Sequence, residues 1–290
     1  MDISLLQTFR SAAESGSISK AAQMLNYAQS NVTAKIKQLE AELQTPLFYR
    51  HNRGITLTPA GQTLLTYAEQ VLRLLDEARK AVRDTDSPAG PLSVGSMETA
   101  AAVRLPAFLA NYHRQYPNVD LILKTGPTEE LIEAVLSYAL EGAFVAGPVR
   151  HPELMQERVV EERLVMVTAA SQTSTTSADL ARTRAILVFR GGCTYRAVLK
   201  HWLLEEGIVP VKIMEFGNLD AILGCVAAGL GVSLLPESLA ASKASAEGLI
   251  RIHAIPERHR TVETVFIYRK DAYYSPAFQA FVAAFKTHSF

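Results

Sequence analysis

Ser17-Ile18-Ser19-Lys20-Ala21-Ala22-Gln23-Met24-Leu25, Asn26-Tyr27-Ala28 and Gln29-Ser30-Asn31-Val32-Thr33-Ala34-Lys35-Ile36-Lys37-Gln38-Leu39-Glu40 follow one another without a gap. The first run opens on Ser, whose hydroxyl can accept from the free N–H groups of a helix start, and continues as a short helix. The tripeptide is a turn. The last run begins a second helix, expected over Gln29–Leu43. Within it Val32, Ile36 and Leu39 are spaced four and three, so they form one buried stripe. At about 100° per residue the opposite face carries Ser30, Ala34, Lys37 and Gln38, flanked by Asn31 and Thr33. That face has no carboxylate before Glu40. Amides and hydroxyls can pair with base edges, and Lys can neutralise phosphate, so the face suits a DNA groove. The small pair Ala21-Ala22 lets two short helices cross closely. A plain helical bundle with a solvated polar face would show the same periodicity.

Next come Arg50-His51-Asn52-Arg53-Gly54-Ile55-Thr56-Leu57-Thr58, basic residues around a glycine turn flanked by β-formers. The run reads as a wing, a hairpin that can lie along the sugar-phosphate backbone or enter the minor groove. Thr58-Pro59 then starts a long helix, Thr as N-cap and Pro in the first turn. Leu64, Ala68, Val71, Leu75, Ala78 and Val82 recur along it with alternating gaps of four and three, a heptad seam. A second copy of the chain is the expected cover for this seam. The alternative is packing onto the helix's own N-terminal block, for which Leu65, Leu72 and Leu74 are placed off the seam.

The stretch Asp84–Pro91 is rich in turn formers and reads as a linker. Beyond it short β-type runs alternate with helical patterns. Strands are expected near Leu92–Gly95, Val119–Lys124, Ala143–Ala146, Leu164–Thr168, Ala185–Phe189, Ile213–Phe216, Val232–Leu235 and Val265–Tyr268. Helices are expected over Ala100–Gln115 and Thr128–Leu140. Such alternation implies α/β units with a mainly parallel sheet.

Composition bounds the class. The 290 residues are 48% hydrophobic and allow two or three domains. No apolar run reaches the ~20 residues that span a bilayer, so no membrane association is expected. The N-terminus has no basic segment or small-residue cleavage site, and only Cys193 and Cys225 occur, so a cytoplasmic protein without disulfides is expected. Net charge is zero, but residues 1–83 carry +3 and residues 84–290 carry −3. That asymmetry is a weak pointer to an anionic N-terminal partner.

Ser15-Gly16-Ser17-Ile18-Ser19-Lys20-Ala21-Ala22, Gln29-Ser30-Asn31-Val32-Thr33, Ile36, Leu39-Glu40, Leu43, Pro46-Leu47-Phe48-Tyr49-Arg50, Arg53 and Leu57-Thr58-Pro59-Ala60-Gly61 together closely resemble the N-terminal signature of LysR-type transcription regulators. The likeness runs without gaps over about sixty residues, and the rest of the chain fits that family in length and element order. It implies an α/β protein with a winged helix-turn-helix over 1–58, a linker and dimerisation helix over 59–87, and an effector-binding domain over 91–290. The last would be periplasmic-binding-protein-like, with one α/β subdomain over 91–162 and 265–290 and a second over 163–264. By position, Gln29, Ser30, Asn31 and Thr33 would face bases or nearby phosphates, Lys35 and Lys37 the backbone, and Arg50 and Arg53 the wing contacts. Many relatives have Pro near Asn31 and Arg near Ala34, so base preference should differ here. Partners implied are double-stranded DNA with two-fold-related half-sites, a small-molecule effector, and a second copy in a homodimer; the family commonly forms tetramers.

Four segments would border the effector cleft: Ser96, Met97, Glu98 and Thr99; Thr125 and Thr128; Cys193, Thr194 and Arg196; Phe216 and Asn218. Helix starts of this kind suit a carboxylate or similar anion. Arg196 favours an anion and Glu98 opposes one. Ser96, Thr128 and Thr194 each also read as ordinary helix caps. Cys193 opens a helix beside Arg196, a setting that lowers a thiol pKa, so a thiol-based redox switch is an alternative. Peroxide-sensing relatives pair such a cysteine with another about nine residues on, where this chain has Trp202. A solute-binding protein of a transport system is a second alternative. An enzyme is not expected: the seven His are scattered, and no metal-ligand, phosphate-loop or nucleophile motif occurs, so neither cofactor nor metal is called for.

Overall fold

The computed structural model describes the whole chain except residues 52–53, 84–86, 173–175 and 289. It divides into two compact units, Met1–Asp84 and Thr85–Phe290.

In the first unit, α1 (Ile3–Ser15), α2 (Ile18–Leu25) and α3 (Gln29–Glu42) precede a hairpin of β1 (Phe48–His51) and β2 (Gly54–Leu57), then α4 (Pro59–Arg83). Ser17 caps α2, accepting from Lys20 N, and the helix closes on Asn26 in the left-handed region at φ 54°. Asn tolerates that conformation better than most residues. Val32, Ile36 and Leu39 are fully buried and meet Phe9, Ala12, Ala21 and Ala22 in one core. The hairpin is pinned at both ends. Glu40 on α3 accepts from Leu47 N at 2.8 Å and Phe48 N at 3.3 Å, and Ile55 N donates to Gly16 O. Thr58 caps α4, accepting from Gly61 N at 3.0 Å while donating to Pro46 O at 2.8 Å. Gly61 is required by close approach, since a Cβ there would overlap the Leu47 carbonyl.

The second unit contains β3 (Gly90–Ser96), α5 (Glu98–Val103), α6 (Leu105–Gln115), β4 (Val119–Thr125), α7 (Thr128–Leu136), β5 (Gly142–Gly147) and the 16-residue β6 (Leu154–Ala169). There follow α8 (Ser177–Thr183), β7 (Ile186–Phe189), α9 (Thr194–Glu205), β8 (Ile213–Phe216), α10 (Leu219–Ala227), β9 (Ser233–Pro236), α11 (Glu237–Glu247), β10 (Ile250–Ala254), a 3-10 turn at Glu257–His259, β11 (Thr261–Arg269) and α12 (Pro276–Thr287). The helix expected over Ala100–Gln115 is two helices. Pro106 has no N–H to donate to the carbonyl one turn back, and the chain breaks at Arg104.

The sheet expected to be mainly parallel is mixed. Strand order is β10-β6-β11-β5-β3-β4, with β9 also on β6. Among the described strands, β3–β4, β3–β5 and β7–β8 pair in parallel, whereas β6 is antiparallel to β9, β10 and β11, and β11 is antiparallel to β5 and β6. Those two strands join the subdomains. Residues 154–163 of β6 pair with β11, whereas Leu164–Ala169 pair with β9 and β10. The change of partner falls at Arg163–Leu164, opposite the start of β11 at Thr261, and a register shift between Thr264 and Val265 lies within the β6–β11 ladder close to it. Beside it, buried Glu162 accepts from Arg104 at 2.6 and 3.1 Å and from Ser238 Oγ at 3.0 Å. The hydrogen bonds to Glu162 raise the pKa of the Arg104 guanidinium from its ordinary value.

A large cluster runs through both subdomains, from Leu131 and Val145 to Trp202 and Leu234, and each subdomain also has a core of its own. One is aromatic: Phe108, Tyr112, Phe144, Phe266, Phe278, Phe281 and Phe285 gather where α6 and α12 cover the sheet. Phe108 and Phe281 meet edge-on with centroids 5.0 Å apart, a favourable ring geometry. The other core is aliphatic, with Val165, Val167, Leu187, Ile222, Val226 and Leu235 under α10 and α11.

Candidate nucleic-acid interface and ligand cleft

The first unit presents α3 with one face sealed and the other open. Gln29, Ser30, Asn31, Ala34, Lys37 and Gln38 are exposed, and Thr33 is half-buried with its hydroxyl donating to Gln29 O at 3.0 Å. No acidic residue stands in the first turn of α3. Lys35 lies apart from this face: its Nζ donates to Ser4 Oγ at 2.8 Å and sits 4.8 Å above the Tyr27 ring. In the hairpin Arg50 is exposed, 3.7 Å from Glu40. Arg53 lies outside the described residues.

Along α4 the heptad positions divide. Ala68 is buried in the unit's own core with the off-seam Leu72, and Leu64 and Leu65 pack against it. Val71 is 40% exposed and Val82 88%; Ala78 is exposed and Leu75 half-buried. Leu74, read as a candidate for inward packing, is exposed instead. The second half of the helix therefore carries an uncovered apolar stripe.

The second unit holds a cavity of about 230 Å³ between its subdomains. Met97, Glu98, Thr99, Thr125, Thr128, Cys193 and Phe216 line it, as do Gly126, Pro127, Glu130, Phe189, Arg190, Tyr195 and Gly217. Three hydrogen bonds cross from one wall to the other. Thr99 Oγ1 and Tyr195 Oη are 3.2 Å apart, Glu98 Oε2 accepts from Leu219 N at 2.9 Å, and Gly192 O accepts from Glu129 N at 3.5 Å. Burial holds the Tyr195 phenol protonated well above its ordinary range.

Four of the expected cleft residues lie elsewhere. Ser96 is fully buried behind the cavity, donating to Met97 O at 2.9 Å. Asn218 caps α10, accepting from Ala221 N at 2.8 Å. Thr194 and Arg196 face a second, open groove of about 770 Å³. Arg196 is tied there to Glu215 at 2.5 Å and to Phe189 O at 3.4 Å. The cation at the cavity is Arg190, immediately after β7 and outside the expected set. It has no hydrogen-bond or ion-pair partner among the described residues.

The capping roles read for Ser96, Thr128 and Thr194 are also corrected. The N-cap positions are Met97, Pro127 and Cys193, and none of these helices has a side-chain cap. Ser96 ends a strand, and the two threonines are the first helical residues, where a hydroxyl no longer reaches its own helix's free N–H groups.

Cys193 does not have the lowered pKa that its position suggests. Burial pushes the thiol up, against the opposing hydrogen bonds from Arg196 and Tyr195 backbone N–H groups and the Arg196 charge. Trp202 is completely buried, and Cys225 packs in the aliphatic core. We expect Cys193 to react with iodoacetamide at pH 7 at least tenfold more slowly than free cysteine, measured in a Cys225→Ser background. A faster rate would restore the redox-switch reading.

Comparison with known proteins gives this architecture its family. Residues 3–62 match "Bacterial regulatory helix-turn-helix protein, lysR family", and residues 85–289 match "LysR substrate binding domain". The chain belongs to the LysR family of transcription regulators: it is a DNA-binding regulator with an effector-binding domain. It is 57% identical to the HTH-type transcriptional regulator GltR of Bacillus subtilis (strain 168) over 288 residues, covering 99% of this chain and 97% of the relative. It is 46% identical to the HTH-type transcriptional regulator CzcR of Bacillus anthracis, covering 99% and 98%. Among solved structures, full-length CbnR complexed with its target DNA matches with a TM-score of 0.72 at 26% identity, covering 99% of each chain. No described helix is long and apolar enough to cross a membrane.

Proposed function

We propose that the protein acts in the cytoplasm as a homodimer, paired through the uncovered stripe of α4. Two α3 helices would then read two-fold-related half-sites about one DNA turn, or a multiple, apart. Pairing of dimers into a tetramer would add phosphate contacts and steepen the salt dependence. In each α3, Gln29, Ser30, Asn31 and Thr33 meet bases and nearby phosphates, and Lys37 with the wing's Arg50 and Arg53 meets the backbone. Lys35 is the weakest member of the set, since it is engaged within its own unit. Asn31 can pair with adenine, and Ala34 can only touch a thymine methyl.

The effector we infer is a small anion in the 230 Å³ cavity. The observation that carries this is Arg190, a partnerless guanidinium at a cavity where α7 and α9 begin without side-chain caps. Helix starts and a free guanidinium both favour negative charge. Glu98 and Glu130 line the same cavity and oppose an anion, and of the two Glu98 is engaged by Leu219 N at the start of α10. The cavity's lining has no histidine to serve as a base, and its thiol is held protonated, which supports a binder rather than a catalyst.

The test is a gel shift on the gene's own upstream DNA, repeated with a panel of small carboxylates. One of them should change operator affinity or the footprint. Arg190→Ala should weaken that ligand at least tenfold while leaving thermal stability of the free protein within about 0.5 kcal/mol, as for other exposed sites. An unchanged ligand affinity would remove Arg190 from the site.

A further inference from the structure

A separate group of side chains gathers at the other end of α9 from the cavity. His201 and Glu205 stand one helical turn apart, and His259 ends the 3-10 turn before β11. His201 Nε2 is 3.0 Å from Glu205 Oε1, and His259 Nε2 is 3.0 Å from Glu205 Oε2. Ligand atoms of the three residues all lie within 4.8 Å of one another. His259 is only 6% exposed, and its ring packs edge-on against His201 with centroids 5.5 Å apart.

Arg258 completes the group. Its Nε is 3.1 Å from His259 Nε2 and 2.9 Å from Glu205 Oε2. The His259 nitrogen thus faces a carboxylate oxygen and a guanidinium N–H together. One ring nitrogen cannot donate to the first and accept from the second. A cation among these atoms resolves the conflict, since an imidazole lone pair and a carboxylate both point at it. Arg258 has another anchor, because its Nη2 already donates to Glu206 Oε1 at 2.9 Å.

We propose that His201, Glu205 and His259 bind a divalent transition-metal cation of the Zn²⁺ class, with Arg258 holding the charge position when the metal is absent. Tetrahedral Zn²⁺ with bonds near 2.0–2.1 Å places its ligand atoms about 3.4 Å apart. Each imidazole is 3.0 Å from one oxygen of Glu205, His201 from Oε1 and His259 from Oε2, and the three ligand atoms, all within 4.8 Å of one another, would draw together on binding. Two imidazoles and one carboxylate suit Zn²⁺ and disfavour Mg²⁺ and Ca²⁺, which take oxygen ligands. Three protein ligands leave a fourth position for water. The metal would clamp α9 to the β10–β11 connection.

The experiment is calorimetric titration of tag-free, full-length protein with Zn²⁺ against a competing chelator. One ion per chain is expected. His201→Ala, an exposed substitution, should weaken binding at least tenfold, and His259→Ala likewise. Arg258→Ala should tighten binding severalfold, because it removes the competing cation. Mg²⁺ should not bind. The proposal is overturned if wild type takes up no Zn²⁺, if His201→Ala binds as wild type does, or if Arg258→Ala leaves affinity unchanged or lower.

Discussion

Ser30→Glu will abolish operator binding, with a loss on the order of 100-fold or more in a gel shift at moderate salt. The argument is electrostatic and local. Ser30 is exposed in the first turn of α3, on the face opposite Val32, Ile36 and Leu39. A carboxylate there would meet phosphate oxygens and the acceptor-rich edges of the bases without a compensating donor. The same substitution leaves the fold intact, since a negative charge in the first turn favours a helix. That turn has no acidic residue of its own to repel it. Circular dichroism and solution mass should therefore match wild type. Operator affinity within threefold of wild type would take α3 out of the groove.

Val71→Lys with Leu75→Lys will give monomers. Light scattering should report a mass near the 31.7 kDa of one chain, where the parent reports a multiple of it. Both positions lie on the outer half of α4, while the neighbouring Ala68 and Leu72 seal the unit's own core. Two lysines facing two lysines across a seam would replace apolar contact by repulsion. Operator affinity should fall on the order of 100-fold, since two linked half-site contacts become one. An unchanged mass would place the dimer contact elsewhere.

What was legible in the sequence follows from how local each signal is. The helix-turn-helix could be read because caps and turns are written within a few residues: Ser17 before α2, Asn26 after it, Thr58-Pro59 before α4. The heptad on α4 was equally visible. Its division into an inward half at Ala68 and an outward half beyond Val71 was not, because spacing does not say which neighbour covers a stripe. The first half of β6 was missed for a different reason. Residues 155–163 are mostly polar, half-buried or exposed, and paired with β11 alone among the described strands, so they lack an apolar alternation. Without that half, β6 looks like one more short strand and the sheet looks parallel. At the cleft, the expected residues near this wall begin at Cys193, the N-cap of α9, and the cation stands three positions earlier at Arg190. Arg196 lies in the first turn of α9, which carries it to Glu215. His201 and His259 are 58 positions apart in the chain, and only folding brings them to one carboxylate.

The two strands that join the subdomains, β6 and β11, lie side by side in one hydrogen-bonded ladder. Sliding one subdomain past the other would break that ladder rung by rung. Bending both strands where β6 passes from β11 to β9 and β10, at Arg163–Leu164, keeps most rungs and costs the three hydrogen bonds that cross the cavity. The domain is thus built like a book with a double spine, stiff to shear, its covers latched by those three bonds.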